Sequence, residues 1–220
     1  VKQSTTIDGR ETRWADHRSR KRLDLIRSAR RSIHLGGPNV AMDVIASDAG
    51  TSKSVIYRYF GDKDGLRIAI GHDVIDGLKT AVIDAAATAQ NPADSLQAMI
   101  RAYLEQAASS PNTYAFVTGS DSPAAAESPH ASVMAFTRDL AELMSERLND
   151  LDPLNEAPEL THIRAHAAIG FIRSAGESWL ARGRVPEDPA VLAATVTSWL
   201  LAGVTAHDTT RPATEPKEAR

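Results

Sequence analysis

Between Thr51 and Lys63 the chain gathers side chains able to grip a polyanion: the hydroxyls of Thr51, Ser52 and Ser54, the ammonium of Lys53, the phenol of Tyr57 and the guanidinium of Arg58. Ile56 and Phe60 stand four apart and point into a small core, which leaves Lys53, Ser54, Tyr57 and Arg58 on the outer side of the same short helix. Donors of this kind on a backbone held by neighbours serve phosphate oxygens and base edges in a DNA major groove. An ordinary helical hairpin with a solvated polar face fits the same spacing.

The elements that must position these groups lie on either side. Met42, Ile45, Ala46 and Ala49 recur at i, i+3, i+4 and i+7, which predicts a helix over Met42 to Asp48 with one buried face. Gly50 ends it, because a tight turn between helices needs a residue free to take positive φ. Thr51 and Ser52 bring the hydroxyls that cap a helix start. The helix that follows is about two turns long and unstable by itself, so neighbours must hold it. After Gly61, Asp62 caps a third helix running from about Lys63 to Ala89, with Leu66, Ile70, Val74, Ile75, Leu78, Val82 and Ile83 as its apolar face.

The stretch IASDAGTSKSVIYRYFGDKDGL resembles the DNA-binding signature of the TetR (tetracycline-repressor-like) regulators. An Ile-Ala pair, an Ala-Gly turn, a hydroxyl-rich helix start, a Tyr-x-x-Phe and a downstream Lys occur together, and the resemblance covers roughly residues 20 to 67. It implies that Thr51, Ser52, Lys53, Ser54, Tyr57, Arg58 and Tyr59 fall where such regulators touch DNA, with Lys63 at a phosphate. Ala41 departs from the pattern, since the family commonly has a capping, phosphate-binding Thr there. Asn39 is the substitute cap expected from the sequence.

Charge is divided along the chain. Residues 1 to 70 hold 14 Lys+Arg against 8 Asp+Glu and residues 71 to 220 hold 11 against 20, so a head of +6 precedes a remainder of -9. That division is the footprint of a polyanion binder at one end. No cysteine is present, which excludes disulfides, thiolate metal sites and a cysteine nucleophile. No apolar run approaches the roughly 18 residues of a membrane span, and the polar start Val1 to Arg13 does not read as a signal peptide, so a cytoplasmic protein is expected.

Residues 1 to 18 read as a basic arm. Arg10, Arg13 and Arg18 suit phosphates or a minor groove, a disordered tail is the alternative, and Trp14 favours order. A first helix follows from Ser19 to Leu35, packing Leu23, Ile26 and Ile33 against Ile45, Ile56 and Phe60, and Gly36-Gly37-Pro38 stops it. The expected domains are the arm 1–18, a helix-turn-helix DNA-binding domain 19–66, a helical body 67–208 and a disordered tail 209–220.

In the body, helices are expected from Pro92 to about Ser110, His130 to Leu151, Glu159 to Arg182 and Ala190 to about His207, with a short piece at Asn112 to Thr118 and a loop from Gly119 to Pro129. His72, Met99, Tyr103, Phe116, Met134, Phe136 and Met144 are candidates to line an apolar ligand pocket. The same residues fit an ordinary core. The final helix is apolar around too much of its circumference for one neighbour to cover, so Phe171, Trp179, Val196, Trp199 and Leu200 are the candidate dimer interface, a four-helix contact of twofold symmetry. His162 and His166 form an i, i+4 pair, but no third ligand stands in register, and neither a metal nor a cofactor is expected.

The sequence therefore predicts an all-α protein: an N-terminal three-helix head of helix-turn-helix type joined by one long helix to a C-terminal helical ligand-binding and dimerisation body. The expected function is that of a homodimeric, sequence-specific transcriptional regulator, a repressor on a palindromic double-stranded operator, released by a small apolar or amphipathic effector. A regulator whose body binds a protein partner or nothing, and a helical enzyme with an incidental hairpin, are the alternatives. No Gly-rich phosphate loop, G-x-S-x-G or H-E-x-x-H supports the enzyme.

Overall fold

The computed structural model describes residues 9–118, 140–150, 158–184 and 187–205, and among them every regular element is an α-helix. In chain order these are α1 (Gly9–Gly36), α2 (Met42–Asp48), α3 (Lys53–Phe60), α4 (Lys63–Ala87), α5 (Pro92–Ser109), α6 (Pro111–Thr118), α7 (140–150), α8 (Pro158–Ala181) and α9 (Pro189–Thr205). The helices fall into two compact units. The first holds the chain up to Gly77 together with α6, and the second holds α4 from Leu78 onward with α5, α7, α8 and α9. The expected loop 119–129 and tail 209–220 lie outside the described residues.

The first unit is built on a stripe of α1. Leu25, Ile26, Ala29 and Ile33 are buried with Ile45 of α2, Ile56 and Phe60 of α3, and Leu66, Ala69 and Ile70 of α4. Leu23, expected in this core, is exposed, and Leu25 takes its place. The stripe is centred near Ala29, which leaves Leu23 on its flank. The helix also begins at Gly9 instead of Ser19, so the arm is helical from that residue. No Gly or Pro interrupts Arg10 to Leu35, and extending a formed helix is far easier than nucleating one. Trp14, whose size argued for a covered site, is 68% exposed on this extension.

Polar contacts fix the helices of this unit to one another. Ser32, itself buried, donates from Oγ to Asp48 Oδ2 at 2.6 Å, joining α1 to α2. Arg30 Nη1 meets Asp73 Oδ2 at 2.5 Å, joining α1 to α4. In the last turn of α1, Asn112 Nδ2 donates to the His34 carbonyl at 2.8 Å, and His34 Nδ1 lies 2.9 Å from Ser110 Oγ. These bonds seat α6 on the head, where Phe116 is buried in the core of the first unit.

The second unit has its own core. Leu78, Val82 and Ala86 of α4 join Leu96, Met99, Ile100 and Leu104 of α5, Met144 and Leu148 of α7, Ile172 and Trp179 of α8, and Val196 of α9. At Gly176 a Cβ would stand 3.0 Å from Tyr103 Cε1, so the absence of a side chain admits the tyrosine ring against α8.

Ile45 of α2 has no exposed surface and shares a core with Ile56 and Phe60 of α3. Ile45→Ala is expected to destabilise the head by about 2–5 kcal/mol, read as a lowered denaturation midpoint for α1–α3 probes with the far-UV spectrum of the folded state retained.

Candidate nucleic-acid interface

The short helix α3 presents two unlike faces. Ile56 and Phe60 are buried, Val55 and Tyr59 are half-buried against the same core, and Ser52, Lys53, Ser54, Tyr57 and Arg58 are exposed. Burial of two large apolar side chains contributes about 1.5–3 kcal/mol each, whereas ordering each backbone residue costs about 1–2 kcal/mol. The eight-residue helix is therefore held by its neighbours, as its length requires. Arg22 of α1 lies over the Phe60 ring, 5.4 Å from its centroid, and adds a cation to the margin of that face.

The turn between α2 and α3 is made by backbone groups. Gly50 takes φ +59 and Thr51 N–H donates to the Ala46 carbonyl at 2.9 Å. The hydroxyl caps expected from the sequence are absent. Ser52 occupies the cap position of α3, but its carbonyl, not its side chain, accepts from Val55 and Ile56 N–H, and Ala41 does the same for α2 with no bond from Asn39. Residue type places a hydroxyl at a helix start, but the rotamer decides whether it turns inward to cap. The Ser52 side chain is exposed on the face that Lys53 and Tyr57 share.

The cations of this face are individually placed. Lys53 Nζ lies 2.5 Å from Asp43 Oδ1 and 6.0 Å from the centroid of the Tyr57 ring. The hydrogen bond and charge of Asp43 hold the Lys53 pKa above its ordinary value. Arg58 lies over the Tyr59 ring at 5.8 Å. Asp62 caps α4 as expected, its Oδ1 accepting from Gly65 N–H at 2.7 Å. Lys63 Nζ stands 5.9 Å from the Phe116 centroid, with the Arg67 guanidinium over the same ring at 5.7 Å.

The structure thus brings Ser52, Lys53, Ser54, Tyr57 and Arg58 together on one exposed face, with Thr51 and Tyr59 half-buried at its edges and Lys63 at the next helix start. Arg18 is exposed on α1, while the side chains of Arg10 and Arg13 lie outside the described residues. Asp43 and Arg22 belong to this surface but were not among the expected site residues. Both reach it from other helices, and their separation from α3 in sequence gives no periodic signal.

The described pocket candidates fall in both units. Met99 and Met144 are buried in the second unit with Tyr103 packed against them, Phe116 is in the core of the first unit, and His72 is exposed on α4. Met134 and Phe136 lie outside the described residues. Of the interface candidates, Phe171 and Trp199 are exposed and meet edge to face at 6.2 Å, and Leu200 is half-buried. Trp179 and Val196 are instead buried in the core of their own unit. His166 Nδ1 lies 2.9 Å from the His162 carbonyl, a contact within α8.

The family described as bacterial regulatory proteins, tetR family, matches residues 25–70, from the buried stripe of α1 to the first turns of α4. An uncharacterised HTH-type transcriptional regulator of Mycobacterium tuberculosis is 29% identical over 195 residues, covering 87% of this chain and 81% of the relative. A tetR-family transcriptional regulator from Streptomyces coelicolor shares the fold at a TM-score of 0.70 and 21% identity, over 86% of this chain and 84% of that one. The regulator FadR from Bacillus subtilis, solved in complex with stearoyl-CoA, aligns at a TM-score of 0.67 and 17% identity, over 82% of this chain and 98% of that one.

The join between α3 and α4 tolerates no side chain at residue 65, where a Cβ would run into the carbonyl oxygen of Phe60. Gly65→Val is expected to cost about 1–3 kcal/mol, seen as a lower melting temperature for the head. Gly77→Ala, where a Cβ meets nothing within 4 Å, should leave it unchanged or raised.

Proposed function

We propose that this chain, which belongs to the TetR family of bacterial regulatory proteins and is a DNA-binding transcriptional regulator, works as a homodimeric repressor released by a small apolar or amphipathic effector. The observation that carries the reading is the exposed set Ser52, Lys53, Ser54, Tyr57 and Arg58 on a helix whose opposite face, Ile56 and Phe60, is anchored in the head. Each subunit lays α3 in the major groove, with Lys63 and Arg18 on phosphates. Two heads spaced about 34–36 Å apart read the halves of a palindromic operator.

Dimerisation is supported by the apolar surface of the last two helices. Leu160, Ile163 and Phe171 of α8 and Val191 and Trp199 of α9 are exposed large apolar side chains, which a second copy would cover. Effector binding is supported by the stearoyl-CoA complex of FadR, a regulator of the same fold, and by adaptable Met99 and Met144 in the second unit. The helix α4 supplies Leu66 and Ile70 to one core and Leu78 and Val82 to the other. An effector that binds one state of the body more tightly than the other would shift α4 and with it the spacing of the heads. Action on the chromosome places the protein in the cytoplasm.

Tyr57→Ala is expected to weaken binding to a duplex selected from random sequences by about 1–3 kcal/mol, while binding to an unrelated duplex changes little. Equal loss on both would contradict base reading by α3. Trp199→Glu should give monomers in sedimentation and lose operator binding with the head still folded. Titration with the releasing metabolite should raise the operator Kd about 5- to 150-fold, and an unchanged Kd at saturation would rule out release by that ligand.

A further inference from the structure

Asp43 brings a carboxylate to the face that α3 presents. Its Oδ1 lies 2.5 Å from Lys53 Nζ across the turn, and the two side chains are 69% and 52% exposed, so the pair stands in the surface and not beneath it. Asp43 is in the first turn of α2, where negative charge suits the helix terminus without help from a lysine. Its other consequence falls on Lys53. A lone lysine is a flexible point charge that pairs with whichever phosphate is nearest, and phosphates are present on every sequence. Here the ammonium is paired with Asp43 at 2.5 Å and stands 6.0 Å from the centroid of the Tyr57 ring, and any phosphate that takes it must approach a carboxylate.

Resting on the DNA-binding reading above, we propose that Asp43 is a specificity-determining residue that positions Lys53: it withholds the ammonium from phosphate and directs the pair to a G·C base pair. Such a pair satisfies both ends at once. Guanine O6 and N7 accept from a lysine, and the cytosine N4 amino group donates to a carboxylate. A phosphate satisfies Lys53 alone and opposes Asp43. Sequence-blind affinity is lowered by this arrangement, and discrimination is kept.

The test measures Kd for a selected duplex and for a random-sequence duplex across a salt series, using the full chain and the variants D43N, D43E, K53A and D43N/K53A. D43N should tighten random-duplex binding roughly two- to fivefold and steepen the slope of log K against log salt by about one. It should also relax the preference for G·C at one position of each half-site. D43E should keep the wild-type slope, and D43N should have little effect when Lys53 is already alanine. A wild-type slope and random-duplex affinity in D43N would overturn the proposal. So would an undiminished gain in the K53A background, which would mean plain repulsion by the carboxylate. A wild-type chain that binds selected and random duplexes alike would instead overturn the DNA-binding reading on which the proposal stands.

Discussion

The burial of Ile56 and Phe60 beneath an eight-residue helix is the interaction on which the rest depends. A helix of two turns does not persist in water alone, so α3 has a defined outer face only because its inner face is locked against Ile45, Leu25, Ile26 and Ile33. The same anchoring fixes where Lys53, Ser54, Tyr57 and Arg58 point. Gly50 and Gly61, both at positive φ, let the chain enter and leave this helix sharply enough for α2 and α4 to close around it.

Charge works on a different scale from packing. The excess of cations in the first 70 residues draws the head toward a polyanion from a distance, and that attraction carries no sequence information. Discrimination requires side chains held where a base edge, and not merely a phosphate, satisfies them. On α3 the groups beside the cations are Asp43 and the Tyr57 ring for Lys53 and the Tyr59 ring for Arg58. Elsewhere in the head, ion pairs serve cohesion, as Arg30 with Asp73 does between α1 and α4.

Much of this was legible in the sequence because it is local. The period of Met42, Ile45 and Ala46, the turn at Gly50 and the cap at Asp62 all lie within a few residues of what they determine. What depended on partners far along the chain was not legible. Leu23 and Leu25 are equally apolar, and which is buried depends on where the other helices lie against α1. Phe116 reads as a body residue until α6 is seen seated on α1 through Asn112 and His34. Trp179 and Val196 suit an interface by type, yet the packing of α5 on α9 and α8 takes them inward and leaves Phe171 and Trp199 outside. The ion pair of Asp43 with Lys53 joins two helices at a spacing that matches no helical period.

The central claim is that the outer face of α3 lies against base edges in the major groove. Methylation interference on a bound duplex tests this most directly, because methylated guanine N7 blocks the major groove and methylated adenine N3 the minor. The expected result is loss of binding at guanines in two symmetric half-sites about one helical turn apart, weakened when Tyr57 is replaced. Interference confined to adenines, or spread evenly along the duplex, would contradict it.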